Sequence, residues 1–171
     1  PFAGSGTVLY EAAAMSLSAF GFEINPSAWS FSKVYEFANM EPATREAVIA
    51  ELRCKIEHEF PIVLFSDDGI PVDAVEDRVI RIGQSINDGA KVLCNALVVL
   101  LDIFNNQITS AFVQSKFTAL AEMVRRLPYS TRPIKVDLQD ARALPLDNQC
   151  VDFAVTSPPY INVFNYHQNY R

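Results

Sequence analysis

The fold class this sequence predicts is α/β, a partial parallel sheet interrupted by a mostly helical insertion. Three observations carry the expectation. A loop containing two glycines opens directly into a helix-forming stretch within residues 1–20. Two short apolar segments, residues 21–25 and 134–138, each lead to an acidic residue at or just past the end of the segment. A third, residues 151–155, runs into a pair of prolines. Loops, helices and strands in this order suit a parallel sheet, which delivers its strand carboxyl ends to one edge, where open α/β sheets bind ligands.

The first element is the loop Pro1-Phe2-Ala3-Gly4-Ser5-Gly6-Thr7, followed by a helix expected over residues 8–20. Gly4 and Gly6 lack a Cβ, so the backbone can turn tightly and come close to a ligand before entering the helix. The unpaired amides at a helix start suit an anionic group such as a carboxylate. No Gly-Lys-Ser/Thr follows, so the loop is not a phosphate-binding P-loop, and the full dinucleotide glycine pattern is absent too.

The second element is a strand over residues 21–25, with Glu23 near its carboxyl end. A carboxylate beside a glycine loop supplies two oxygens for the vicinal hydroxyls of a ribose, while a solvated loop glutamate is the plainer alternative.

Residues 41–132 are longer than a strand-helix-strand connection needs and read as a helical insertion between residues 1–40 and 133–171. A charged amphipathic run follows Pro42 and extends to Glu59, residues 61–66 are a short apolar segment, and Asp67-Asp68-Gly69 reads as a turn. Residues 90–104 are apolar on nearly every face, as in a buried helix, and Phe112, Val113, Phe117, Leu120 and Val124 form a stripe that suits core packing. Acids and bases are nearly balanced here, which argues against a DNA-reading surface, and Arg125, Arg126 and Arg132 are explained as well by a solvated helix end.

Beyond the insertion, residues 134–138 alternate as a strand and lead to Asp140 and Ala141. An Asp after a strand is also a common cap. The last strand, residues 151–155, enters Thr156-Ser157-Pro158-Pro159-Tyr160. The prolines remove successive donors and keep the chain extended, leaving carbonyls free to face a substrate. An exocyclic amino group has two N–H donors for Ser157 Oγ and the Pro158 carbonyl, and Tyr160 could stack on a base at roughly 1–3 kcal/mol. Ordinary loop punctuation is the alternative. Residues 161–171 are a polar and aromatic mixture that suits a base pocket or plain packing, with Asn162 and Tyr166 the positions of interest.

Half of the 171 residues are hydrophobic and 20% are charged, as expected for a folded chain. No apolar run approaches the roughly 20 residues of a membrane helix, so no membrane association is expected. Cys54, Cys94 and Cys150 match no metal spacing, and no metal is expected. They read as reduced core residues of a cytoplasmic protein.

Together, Pro1-Phe2-Ala3-Gly4-Ser5-Gly6-Thr7 and Ser157-Pro158-Pro159-Tyr160 resemble the cofactor loop and catalytic motif of amino-directed DNA methyltransferases, which use S-adenosylmethionine. The likeness covers residues 1–40 and about 133–171 well and the middle poorly. It implies a Rossmann-like class I methyltransferase sheet, with Pro1, Phe2, Gly4, Gly6, Thr7, Glu23, Asp140 and Ala141 as cofactor contacts. Asp140 is the position that would receive the cofactor adenine's amino group. Ser157, Pro158, Pro159 and Tyr160 would act on a base flipped out of DNA. No Pro-Cys pair offers the nucleophile used to methylate a ring carbon. Serine at the head of the motif is similar to the cytosine-N4 enzymes, and adenine N6 is the alternative. DNA is the implied substrate, and a cognate restriction endonuclease is a partner the resemblance admits.

The family's sheet has seven strands against three read here, and the acidic residue that usually precedes the loop proline would lie before Pro1. The chain is therefore expected to be an internal piece of a longer enzyme. Its net charge of −6 has the wrong sign for docking on DNA, so the basic groove is expected elsewhere in that enzyme. An RNA or protein-amide methyltransferase and a noncatalytic cofactor-binding module are the readings outside DNA modification.

Overall fold

A computed structural model describes residues 1–62, 69–101 and 107–156. Among them are six α-helices, one 3-10 helix, a two-stranded parallel sheet and a two-residue antiparallel pairing, an α/β arrangement. The chain divides into two compact units. One holds Pro1–Asn39 and the chain from Pro128 onward, and the other is Met40–Leu127.

In the first unit, helix α1 (Thr7–Ala14) leads to strand β1 (Ala19–Glu23). The expected helix over residues 8–20 is thus too long at its carboxyl end. Ser16 adopts a left-handed φ of 55°, the Ser16 amide donates to the Ala13 carbonyl at 3.1 Å, and the Leu17 amide donates to the Ala12 carbonyl at 2.8 Å. This pair of bonds ends a helix in the manner usual for glycine, and with serine in the role the stop left no obvious mark in the sequence. Strand β1 accordingly starts two residues before the expected Gly21 and ends at Glu23. Asn25 is outside it, capping helix α2 (Pro26–Ser32) by accepting from the Ser27 and Ala28 amides at 2.9 and 3.1 Å.

Strand β4 (Ile134–Leu138) matches its expected bounds and lies parallel to β1, with Ala19 opposite Ile134 and Glu23 opposite Leu138. One sheet face packs on α1 through Leu9, Ala13, Ile134, Val136 and Ala38, with Trp29 and Tyr35 at the margin. The outer edge of β4 is closed by side chains from α2 and the 3-10 segment Lys33–Asn39. Asn39 Oδ1 accepts from the Ile134 amide and Glu36 Oε1 from the Val136 amide, both at 2.8 Å. Lys33 Nζ and Trp29 Nε1 donate to the Val136 carbonyl at 3.1 and 3.3 Å. These bonds satisfy polar groups that a neighbouring strand would otherwise take, so β4 is a covered edge.

The third expected strand does not form: residues 151–155 are irregular and pair with no strand among the described residues. Val151, Phe153 and Val155 are 51%, 88% and 63% exposed, so their alternation finds neither a ladder partner nor an apolar surface to cover it.

In the second unit, helices α3 (Pro42–Glu59), α4 (Val72–Gln84), α5 (Asp88–Leu100) and α6 (Ser110–Arg125) surround a core that includes Ile49, Leu52, Val79, Leu93, Leu97 and Phe117. Strands β2 (Ile70–Pro71) and β3 (Gln107–Ile108) pair antiparallel. Within the α6 stripe Val113, Phe117, Leu120 and Val124 are buried while Phe112 is half-buried. Helix α5 exposes Val99 to 37%, so it is not buried on every side as expected. Arg45 is buried, its Nε donating to the Met40 carbonyl at 2.8 Å and its Nη1 to the Val124 and Leu127 carbonyls, which closes the end of α6. Arg125 is held by Glu46 and Glu122 in an exposed ion pair. The apolar segment and turn expected between residues 61 and 69 fall largely outside the described residues.

Of the three cysteines expected in the core, only Cys94 is buried, and burial pushes its thiol up to about 12; Cys54 and Cys150 are exposed. No helix among the described residues is long and apolar enough to cross a membrane.

Candidate functional site

The glycine loop lies along the edge of β1 opposite β4, where the Ala3 amide donates to the Phe22 carbonyl at 3.0 Å. Phe2, Gly4 and Gly6 take positive φ values of 57°, 55° and 93°. A left-handed residue at every second position curls the loop tightly, and for Phe2 that conformation costs about 1–2 kcal/mol. The Gly6 amide donates to the Ala3 carbonyl at 3.0 Å, closing the turn, and the Gly6 carbonyl accepts the Leu9 and Tyr10 amides as α1 begins. Thr7 and Val8 occupy the first helical turn, whose amides have no partner inside the helix.

The two glycines do different work. A Cβ on Gly6 would come within 2.5 Å of the Tyr35 ring and 3.1 Å of Ser32 Cβ, so this glycine is required by protein packing. A Cβ on Gly4 would meet nothing within 4 Å. Gly4 is therefore the glycine whose missing side chain borders open space.

Glu23, at the carboxyl tip of β1, is buried at 7% exposure. Its Oε2 accepts the Gly4 amide, and its Oε1 accepts the Ile24 and Asn25 amides, each at 2.9 Å. Glu23 is thus no solvated loop glutamate. It ties the glycine loop to the end of the sheet, and of its roughly four acceptor positions one on Oε2 remains.

The Gln139 amide donates to the Glu23 carbonyl at 2.9 Å, setting Asp140 beside the same sheet edge. Asp140 starts a turn: its Oδ1 accepts the Arg142 amide at 2.9 Å, its carbonyl accepts the Ala143 amide at 3.1 Å, and no helix follows for it to cap. The Arg142 guanidinium grips both carboxylate oxygens and holds the Asp140 carboxyl down at about 2. Ala141 lies half-buried in the turn. Asp137, inside β4, is exposed.

At the other side of the loop, Thr156 Oγ1 donates to the Pro1 carbonyl at 3.0 Å. Thr156 is the residue before the serine-proline-proline-tyrosine tip. Ser157, Pro158, Pro159 and Tyr160, like Asn162 and Tyr166, lie outside the described residues. A row of contacts therefore runs Gln139 to Glu23, Phe22 to Ala3, and Pro1 to Thr156, bringing together the ends of four segments far apart in sequence.

Sequence reasoning passed over Tyr35, which fills the space behind Gly6, and Arg142, which covers Asp140. An Arg two residues after an Asp that follows a strand was a readable signal for a side chain folded back on the carboxylate. Tyr35 left no such local mark. Among the described residues no group of three or more His, Cys, Asp or Glu is placed to hold a metal ion. Comparison of the chain with protein-family models, curated proteins and solved structures returns no significant match.

Proposed function

We propose that this chain carries the cofactor and catalytic motifs of an S-adenosylmethionine-dependent DNA methyltransferase acting on an exocyclic amino group, cytosine N4 before adenine N6. The observation that carries the reading is the row of contacts from Gln139 through Glu23 and Ala3 to Pro1 and Thr156. It gathers the glycine loop, both acidic positions and the approach to the proline tip at one end of a parallel sheet, where open α/β folds bind ligands. In this reading the two strands belong to a Rossmann-like sheet, and the protein works in the cytoplasm, with a restriction endonuclease as its functional partner.

The open space at Gly4, the unpaired amides of Thr7 and Val8 and the remaining acceptor position on Glu23 suit a ligand with a carboxylate and a ribose. Pro1 and Phe2 shape the loop's entry, and Asp140 with Ala141 would receive the adenine. S-adenosylmethionine, when bound, supplies an electrophilic methyl group. The chain's part is to orient the acceptor. Ser157 Oγ and the Pro158 carbonyl would accept the N–H groups of the base's amino nitrogen, which would favour a pyramidal nitrogen with its lone pair directed outward, while Pro159 would withhold a backbone donor and Tyr160 would stack on the base.

The test is to incubate the protein, expressed from its own gene, with labelled S-adenosylmethionine and mixed DNA, then digest the DNA and identify the nucleoside by mass spectrometry. N4-methylcytosine is the expected product, and N6-methyladenine would select the second target. Cofactor binding without label in DNA would overturn the DNA reading in favour of an RNA, a protein amide or a noncatalytic module. Tyr160→Ala is expected to reduce turnover more than cofactor binding; equal losses would remove Tyr160 from the base site.

A further inference from the structure

We propose that the 3-10 segment Lys33–Asn39 is a brace that fixes the glycine loop against strand β4, with Tyr35 as its positioning residue for the ligand site. Its bearing on a ligand rests on the reading of the glycine loop as a cofactor loop.

A 3-10 helix has about three residues per turn, so side chains three apart eclipse and form straight rows. An α-helix, with about 3.6 residues per turn, would swing the same row by about 120° over six residues. Lys33, Glu36 and Asn39 form one row, and all three reach the outer edge of β4. Lys33 Nζ donates to the Val136 carbonyl at 3.1 Å, while Glu36 Oε1 accepts the Val136 amide and Asn39 Oδ1 the Ile134 amide, both at 2.8 Å. Tyr35 and Ala38 form a second row, which Ser32 at the end of α2 extends, and this row meets the glycine loop and α1. The atoms nearest to a Cβ on Gly6 would be Tyr35 Cδ2 and Cε2, at 2.5 and 2.6 Å, and Ser32 Cβ at 3.1 Å. Tyr35 and Ala38 also pack in one cluster with Leu9 and Ala13. Val34 and Phe37, the third row, are buried and anchor the segment.

The Tyr10 ring of α1 meets the Tyr35 ring edge-on, with centroids 6.4 Å apart, so Tyr35 is gripped from the helix side as well. Tyr35 backs the point where the Gly6 carbonyl accepts the first amides of α1, and its neighbour Glu36 holds the middle of β4. Packed interiors yield little, so a displacement at the β4 edge is passed through Glu36 and Tyr35 to the space behind Gly6.

The experiment measures amide hydrogen exchange by NMR in the free protein and S-adenosylhomocysteine binding by calorimetry, for wild type, Glu36→Ala, Tyr35→Ala and Tyr35→Phe. Among the described residues Glu36 bonds to Lys33 and Val136 and to no residue of the glycine loop. Glu36→Ala is nevertheless expected to speed exchange at the Gly6 and Leu9 amides as well as at Val136, and to weaken S-adenosylhomocysteine binding by about two- to thirty-fold. Tyr35→Ala should do the same from the other side, speeding exchange at Val136. Tyr35→Phe keeps the ring atoms that face Gly6 and should match the wild type in both readouts. Should Tyr35→Ala not fold, the partly exposed Glu36 position still decides. Acceleration confined to Val136 in Glu36→Ala, or spread evenly over the first unit, would overturn the brace. Coupled exchange with unchanged affinity would remove Tyr35 from ligand positioning. Coupled exchange with no S-adenosylhomocysteine binding by the wild type would overturn the cofactor reading and leave the brace standing.

Discussion

The Glu23 carboxylate accepts the Gly4 amide at 2.9 Å and thereby joins the tip of β1 to the centre of the glycine loop. Glu23 Oε1 takes two further amides, so one buried side chain arranges three backbone donors and leaves a single acceptor position for a ligand. Holding the loop is thus a role that Glu23 already performs in the free protein.

Glu23→Gln should therefore destabilise the first unit by about 1–3 kcal/mol, because an amide nitrogen would face a backbone donor where an acceptor stood. Urea denaturation measures the loss. Hydrogen exchange at Gly4 should accelerate in the same variant, whereas a purely ligand-contacting Glu23 would leave both readouts at wild-type values.

Gly4→Ala and Gly6→Ala should separate binding from stability. At Gly6 the new Cβ lies 2.5 Å from the Tyr35 ring and φ is 93°, so a loss of about 2 kcal/mol or more is expected in thermal or urea unfolding. At Gly4 the Cβ meets no protein atom within 4 Å, and the cost is limited to the left-handed conformation, about 1 kcal/mol. The methyl group would instead intrude on the open side of the loop. Gly4→Ala is expected to lose S-adenosylhomocysteine affinity out of proportion to its stability, and a loss of stability alone would show that the ligand does not approach there.

Arg45→Met, in the second unit, keeps the apolar stem and removes the donors to the Met40, Val124 and Leu127 carbonyls. The Val124 carbonyl keeps the Leu127 amide, but the loss of the Arg45 donors at Met40 and Leu127 should cost roughly 1–3 kcal/mol, read as a lower urea midpoint.

Asp140 should titrate near 2, below its ordinary value of 3.8, because Arg142 bonds to its charged form. A depressed carboxyl favours the folded turn above the ordinary value and loses that contribution as pH falls through about 2. Carboxyl-carbon NMR measures the midpoint, and Arg142→Ala should move it up toward 3.8. A midpoint unaffected by that substitution would mean that the pair does not form in solution.

How legible each part was follows from the distance over which its cause acts. Strand β4 was readable because Ile134 and Val136 alternate with polar neighbours, and a two-residue period is a property of the local backbone. The end of α1 was misread because Ser16 takes the left-handed position that glycine usually marks. Helix α2 was not anticipated, being only seven residues long, too short for a helical stripe to repeat. Residues 151–155 carry a strand-like alternation without a partner strand, and alternation alone cannot supply a ladder.

By itself the sequence determined where the chain can turn, which segments alternate, and that Glu23 and Asp140 lie at or just beyond strand carboxyl ends. These follow from steric and periodic rules that operate over a few residues. Only the tertiary structure decided what those groups do to one another. Glu23 reaches Gly4 across 19 residues and Thr156 reaches Pro1 across 155. Tyr35, not a ligand, occupies the space behind Gly6. Such partners depend on how the chain closes on itself: a hydrogen bond or a packed ring needs its atoms placed to within a fraction of an ångström, and no local period encodes that placement.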